Sequence, residues 1–324
     1  MTDTVDVVIP LRGPQPWVEP CFASLAAQTR APDRVIVVDD GIEGRDEVAA
    51  LGRRLLGPRL DVVRNRGHGV AAAINTGVQE SSATWILRID GDDVCRPDRV
   101  AVQIGFLEKE WPRFAGCGTQ ARIIDHVGRP IGFVRSPSEP EVLERDMFRR
   151  CNFLGPTVAA RREAFVAFPF RPVLSSVEDY DFALRVRQDR RMTNIADALV
   201  DYRVHPLQQT FHKRVRQTVL AELAVRAALR RERGHPDPLD ADPALAEAFV
   251  AWRLALPGYA PLREMLTAAR YAAMHFPRSG RYAAVALRSA AAALPSYHRI
   301  PVIVRSGYAG LAREPSPFAV LNAA

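Results

Sequence analysis

Lysine is almost absent from this chain of 324 residues: of its 44 basic residues only Lys109 and Lys213 are lysine, the rest being arginine. We read that skew as codon usage rather than function. Cysteine is scarce as well. Cys21, Cys95, Cys117 and Cys151 are widely spaced and form no C-x-x-C pair, which argues against a structural zinc site and a disulfide framework. Reduced thiols in a cytoplasmic protein are the expectation. No apolar run approaches the roughly 18 residues that a membrane span needs; the longest, YAAVAL at 282–287, is closed by Arg281 and Arg288. The opening MTDTVDVVIP has neither the basic n-region nor the long apolar core of a signal peptide. No G-x-G-x-x-G follows the first apolar run, which removes the phosphate-binding turn of a dinucleotide-dependent dehydrogenase.

What is present is ordinary globular composition, 48% hydrophobic and 25% charged. The net charge of +7 is unevenly placed: residues 1–212 hold 28 basic and 29 acidic residues, residues 213–324 hold 16 and 8. We therefore expect a catalytic or binding domain over 1–212 and a basic α-helical region over 213–324. The latter carries Arg263, Arg270, Arg278, Arg281 and Arg288 at near-helical spacing. Such a region either packs as a solvated face or meets an anionic membrane surface. No basic motif interleaved with aromatics supports a nucleic-acid partner.

In the first 90 residues, apolar runs alternate with amphipathic segments. VDVVIP (5–10), RVIVVDD (34–40), LDVVRN (60–65) and TWILRID (84–90) read as strands. The segments 17–28, 47–57 and 70–79 read as helices. Continuous β-branched runs alternating with helices give β-α-β units and a parallel sheet covered on both faces. After Asp93 the pattern predicts helices at 96–110, 139–150 and 179–190. Strands are predicted at 114–125, 130–135 and 199–205, with a strand running into a helix over 156–165. The fold class is therefore α/β with a mixed sheet.

In such sheets ligands bind beyond the carboxyl ends of the strands. There the sequence places Asp39-Asp40-Gly41, Asn65-Arg66-Gly67 and Asp90-Gly91-Asp92-Asp93. Each alone is a turn sequence; three on one edge point to a site. The D-x-D spacing of Asp90 and Asp92 lets two carboxylates reach one hard divalent ion, Mn²⁺ or Mg²⁺. A second acidic cluster, Glu178-Asp179-Tyr180-Asp181, opens a predicted helix. It offers helix capping or a general base. His205, at the end of a predicted strand, is a surface residue, a packed one or a further metal ligand.

These residues, in this order, resemble a family-2 glycosyltransferase of the GT-A fold over about residues 5–210. The resemblance is carried by VDVVIP (5–10), VIVVDDG (35–41) and N-x-G-x-x-x-A-x-x-x-N-x-G from Asn65 to Gly77. It continues with DGDD (90–93), GPTVAARR (155–162), VEDYDFALRV (177–186) and DYRVH (201–205). It implies a GT-A-like mixed sheet and inverting transfer from a nucleotide-sugar donor, a UDP-sugar being favoured. The acceptor would be a saccharide, lipid-linked or small-molecule hydroxyl. It implies donor contacts at Pro10, Leu11, Arg12, Asp39, Asp40, Asn65, Gly67, Asn75, Asp90 and Gly91. It places the metal at Asp92 with Asp90 and His205, and the base at Asp179 with Glu178 or Asp181 in support. Where many members have Ala-Arg-Asn in the third helix, this chain has Ala73-Ile74-Asn75, and Arg12, Arg66 or Arg88 is the candidate for the missing charge. The Gln-x-x-Arg-Trp signature of processive synthases is absent, so single addition is expected. The competing readings are a sugar-nucleotidyltransferase, for which PLRGPQP (10–16) supplies neither the Gly-rich loop nor its lysine, and a non-catalytic nucleotide-sugar or membrane-surface binding module.

Overall fold

Four strands built from the β-branched runs form the parallel half of one sheet: β1 (Val5–Gly13), β2 (Arg34–Ile42), β3 (Leu60–Arg64) and β4 (Trp85–Arg88), in the order β3-β2-β1-β4. The computed structural model describes residues 3–205, 208 and 214–255. The crossovers are the helices α1 (Val18–Ala26), α2 (Arg45–Leu56) and α3 (Gly69–Glu80). Val35, Ile36, Val37 and Val38 are all fully buried. Both faces of β2 are therefore covered, which is why its sequence does not alternate. Register pairs Leu11 with Asp39 and Asp39 with Arg64, while Arg88 pairs with Val8. β3 thus ends at the level of Asp39, β1 and β2 run on together to Gly13 and Ile42, and β4 stops earlier so that its chain turns at Asp90.

Beyond β4 the sheet becomes mixed, as expected. The chain continues through β5 (Val94–Cys95), α4 (Arg99–Glu110), β6 (Phe114–Ile124), β7 (Pro130–Val134), α5 (Pro140–Asp146), β8 (Ala159–Arg161), α6 (Arg162–Ala167), α7 (Glu178–Val186) and β9 (Arg191–Arg203). The full order is β3-β2-β1-β4-β8-β6-β9-β5, with β7 on β6. β8 runs antiparallel to β4 and to β6, and β9 runs parallel to β6. The short β5 lies antiparallel to β9, with Val94 opposite Asp201 and Cys95 opposite Val200. That pairing brings the Asp90–Asp93 turn against Arg203 and His205, more than a hundred residues away.

The predicted strand at 199–205 is the last part of β9, whose register shifts and polar residues hide its beginning in the sequence. The helix expected at 139–150 is confined to Pro140–Asp146.

The chain divides into two compact units, Met1–Pro206 and Leu207–Ala324. This boundary lies a few residues ahead of the one expected. In the second unit the described helices are α8 (Arg214–Glu232), α9 (Pro238–Ala241) and α10 (Leu245–Ala255). The part of the expected α-helical region beyond residue 255, with Arg263, Arg270, Arg278, Arg281 and Arg288, lies outside the described residues. Among the described residues no helix is long and apolar enough to cross a membrane.

Candidate active site

The tips of β1, β2 and β3 are held by their own side chains. Asp39 Oδ1 accepts the amides of Gly41 and Ile42 at 2.9 and 2.8 Å, and its Oδ2 accepts from Arg45 Nε at 3.0 Å. Burial alone would raise this carboxyl; the two amides and Arg45 outweigh it and hold Asp39 below the usual carboxylate range. Asp40 accepts the Gly69 N–H with both oxygens, at 3.1 and 3.0 Å, and so satisfies the first amide of α3. Asn65 Nδ2 donates to Asp40 at 2.7 Å, and its Oδ1 accepts from the Gly67 N–H and the Thr76 hydroxyl. Asp39, Asp40, Asn65 and Gly67 are therefore brought together as the rigid floor of the strand edge. Arg12 Nη1 lies 3.9 Å from Asp40 Oδ2, with 64% of its side chain in solvent.

Other expected donor-contact residues have internal partners. Pro10 is half-buried within β1, three residues before its end. The Leu11 side chain is buried and packs on Gly91, where an added Cβ would stand 2.1 Å from Leu11 Cδ2. Glycine is thus the residue that lets the acidic turn close down on β1. The amide of Asn75 is engaged at both ends by the backbone of Phe170: Nδ2 donates to the carbonyl at 2.7 Å and Oδ1 accepts the N–H at 2.8 Å. Arg66 pairs with Glu80 and Gln79 on the surface.

In the turn after β4, carboxylate oxygens of Asp90, Asp92 and Asp93 all lie within 4.8 Å of one another. They differ in environment. Asp93 is wholly buried; its Oδ1 accepts the Arg203 N–H at 2.8 Å and its Oδ2 has no partner among the described residues. Burial, with Asp92 and Asp90 beside it, pushes its carboxyl well above the usual range. Asp90 is raised by burial, with Asp92 and Glu178 adding to the shift against the opposing charge of Arg88. Asp92 keeps 27% of its side chain exposed, and its Oδ2 lies 2.7 Å from His205 Nε2.

Three crowded carboxylates and an imidazole repel or compete unless a cation joins them. Hard oxygen donors within 4.8 Å and an adjacent ring nitrogen suit Mn²⁺ or Mg²⁺. Asp90, Asp92 and His205 are the residues that would hold the ion. Asp93 is tied to β9.

The second cluster opens α7. Glu178 is buried; its Oε2 accepts the Ser176 N–H at 2.8 Å. Ser176 has φ of 89°, a left-handed conformation that costs about 1–3 kcal/mol in a non-glycine residue. Asp179 is half-buried and accepts the Tyr180 N–H at 2.8 Å and the Gly155 N–H at 3.1 Å. Burial first and the neighbouring Glu178 second raise its carboxyl to about 7, against Arg88 and the two amides. Asp181 does not join it. That carboxylate is fully buried between Arg185 Nε at 2.8 Å and Arg171 Nη1 at 3.5 Å.

Arg88 joins the two clusters. Its Nη1 donates to Glu178 Oε1 at 3.1 Å and its Nη2 to Asp90 Oδ1 at 3.3 Å. Sequence reasoning offered Arg88 only as a substitute charge and did not find this bridge, nor the stacking of Trp17 on His205 at a centroid distance of 4.1 Å. Neither leaves a local signal in the sequence.

Comparison with known proteins bears on the family and the fold. The model of glycosyl transferase family 2 matches residues 6–166. An uncharacterized glycosyltransferase of Haemophilus influenzae is 30% identical over 192 residues, covering 58% of this chain and 70% of the relative. The amylovoran biosynthesis glycosyltransferase AmsE of Erwinia amylovora is 26% identical over 189 residues, 57% of this chain and 70% of AmsE. With EpsJ of Bacillus subtilis the match is 24% identical and spans 62% of the relative. Among solved structures, the mannosyltransferase PcManGT of Pyrobaculum calidifontis, in complex with GDP-Man and Mn²⁺, superposes with a TM-score of 0.54 at 19% identity, covering 92% of this chain and 83% of its own. S. aureus TarS with UDP-GlcNAc gives 0.55 at 15% identity, covering 94% and 92%. The sheet is that of the GT-A glycosyltransferases, and the chain belongs to glycosyl transferase family 2.

Proposed function

We propose that this glycosyltransferase moves a sugar from a nucleoside-diphosphate donor, a UDP-sugar, to a hydroxyl of a saccharide, lipid-linked or small-molecule acceptor, with inversion at the anomeric carbon. The observation that carries this reading is the bridge of Arg88 between Asp90 and Glu178. It sets a carboxylate cluster suited to a cation beside one suited to proton transfer.

In this reading Asp179 is the base. Its carboxylate takes the proton of the acceptor hydroxyl as that oxygen forms a bond to the anomeric carbon. The bond from that carbon to the diphosphate oxygen breaks on the opposite face, and one displacement inverts the centre. The amides of Gly155 and Tyr180 orient the Asp179 carboxylate, and Glu178 holds the charge of Arg88 near it. Asp90, Asp92 and His205 would hold Mn²⁺ or Mg²⁺, which when bound neutralises charge on the departing diphosphate. Asp40, Asn65 and Gly67 fix the loops beside which the nucleoside would lie.

The same proposal places the enzyme in the cytoplasm, peripheral at the inner face of the membrane. The support is the charge excess of residues 213–324. Salt-sensitive binding to anionic vesicles, lost on removal of residues 259–324, is its test; binding that ignores salt and lipid charge rejects it.

The donor is tested by thermal shift with UDP- and GDP-sugars, with and without Mn²⁺. Selective binding raises Tm by mass action. A UDP-sugar that stabilises the chain only with metal is the expected result, and no shift from any nucleotide sugar refutes the reading. Product anomer analysis by NMR then checks inversion.

A further inference from the structure

A histidine that ligates a metal through one ring nitrogen ordinarily donates the N–H of the other to a carboxylate, a carbonyl or water, and that bond fixes the ring plane. Among the described residues His205 has no such acceptor. Its Nε2 faces Asp92 Oδ2 at 2.7 Å, while among the described residues its buried Nδ1 has no hydrogen-bond partner.

What lies against the ring is the indole of Trp17, centroid to centroid at 4.1 Å and tilted by 36°. Trp17 is itself held. Its Nε1 donates to the His126 carbonyl at 2.8 Å, which also accepts from Arg203 Nη1 at 3.4 Å. The Arg203 guanidinium stands 5.7 Å from the centre of the indole, and its Nε donates to the Asp92 carbonyl at 2.8 Å. Three segments remote in sequence thus converge on Asp92: the loop ahead of α1, the turn between β6 and β7, and the end of β9.

We propose that Trp17 is a positioning residue for His205: its indole face takes the place of a hydrogen bond at Nδ1 and sets the plane in which Nε2 is presented to the cation site at Asp92. The inference rests on the reading of Asp90, Asp92 and His205 as that site. It differs from a packing role in requiring an aromatic face. An aliphatic side chain of similar bulk fills the space and leaves the imidazole unoriented.

The test uses the full chain and Mn²⁺ alone, by calorimetric titration, with a melting curve for each variant. Loss of an outer-shell orienting group lowers metal affinity about 10- to 100-fold. Trp17→Leu is expected to fall in that range, and Trp17→Phe, which keeps a ring, to stay close to wild type. Combining Trp17→Leu with His205→Ala is expected to be no weaker than His205→Ala alone. Wild-type affinity in Trp17→Leu makes the indole a filler and overturns the proposal. Equal losses in the Leu and Phe variants shift the effect to the indole N–H and also overturn it. Full affinity in Asp92→Asn instead refutes the cation site itself. A second readout needs no folded Leu variant. Mn²⁺ is expected to quench tryptophan emission in the wild type and not in Trp17→Phe, and a quench retained there places the ion beside another tryptophan and rejects the inference.

Discussion

Arg88 Nη1 donates to Glu178 Oε1 at 3.1 Å, with both side chains 6% exposed. The same guanidinium reaches Asp90 Oδ1 at 3.3 Å. One buried cation thus ties the end of β4 to the start of α7, and with them the two acidic clusters. A planar fork with several fixed donors can serve two carboxylates at once, which a lysine ammonium does less well.

The first expectation concerns this tie. Arg88→Met leaves Glu178 buried without its counter-charge, and breaking a buried pair in that way costs about 3–5 kcal/mol. Urea unfolding of Arg88→Met is expected to show a loss of that order. In Arg88→Met combined with Glu178→Gln, part of the loss is expected to return because the uncompensated charge is gone. A single variant within about 0.5 kcal/mol of wild type, the range of an ordinary surface change, removes the bridge from the account.

The second concerns pH. Burial and Glu178 raise the Asp179 carboxyl to about 7. A base acts only when deprotonated, so kcat/KM is expected to fall about tenfold per pH unit below that midpoint and to level above it. Stability runs the other way. A carboxyl raised on folding favours its protonated form, so its stabilising contribution is present below its ordinary value near 3.8 and lost as pH rises through about 7. Asp179→Asn is expected to keep donor affinity, lose about 10²- to 10⁴-fold in turnover and melt higher than wild type at pH 8. Turnover within tenfold of wild type, or a flat profile from pH 5.5 to 8, refutes Asp179 as the base.

The third separates two adjacent aspartates. Asp92 is partly exposed beside His205, while Asp93 is buried with its Oδ1 on the Arg203 N–H. Asp92→Asn is expected to abolish Mn²⁺ binding with little change in Tm. Asp93→Leu is expected to lose about 1–3 kcal/mol, since a buried backbone N–H is left without its acceptor. Calorimetric Mn²⁺ titration and denaturant unfolding of both variants decide between the roles, and a swap of the two outcomes reverses the assignment.

Much of this site was legible in the sequence. The buried strands announce themselves by runs such as VIVV, and the edge rule then puts the Asp-rich tips together. The distinction between Asp179 and Asp181 was not drawn from the sequence, which kept Asp181 in support of the base; residues two apart on a helix face different ways, and the structure buries Asp181 between Arg185 and Arg171. What the sequence hides are pairings across long separations. Asp40 caps an amide 29 residues on, Asn75 serves a backbone 95 residues away, and Trp17 meets the His205 ring across most of the first unit. None has a local pattern, because the partner is chosen by the closing of the sheet. The beginning of β9 was missed because its register shifts break the alternation that marks a strand.

The last expectation turns on Gly155, which lies between Arg88 and Asp179. Its N–H donates to Asp179 Oδ2 at 3.1 Å, and a Cβ placed there would stand 2.6 Å from Arg88 Nη1. The tip of an exposed arginine would swing aside, but this one is buried and held by Glu178 and Asp90. In Gly155→Ala the backbone is expected to back away instead, lengthening the bond to Asp179. That bond lowers the carboxyl, so its loss raises it further. The pH–rate midpoint is expected to move above about 7, with kcat reduced at neutral pH and partly recovered in alkali. An unmoved midpoint, measured against a wild type that shows the limb, means that the Gly155 amide does not govern the protonation of Asp179.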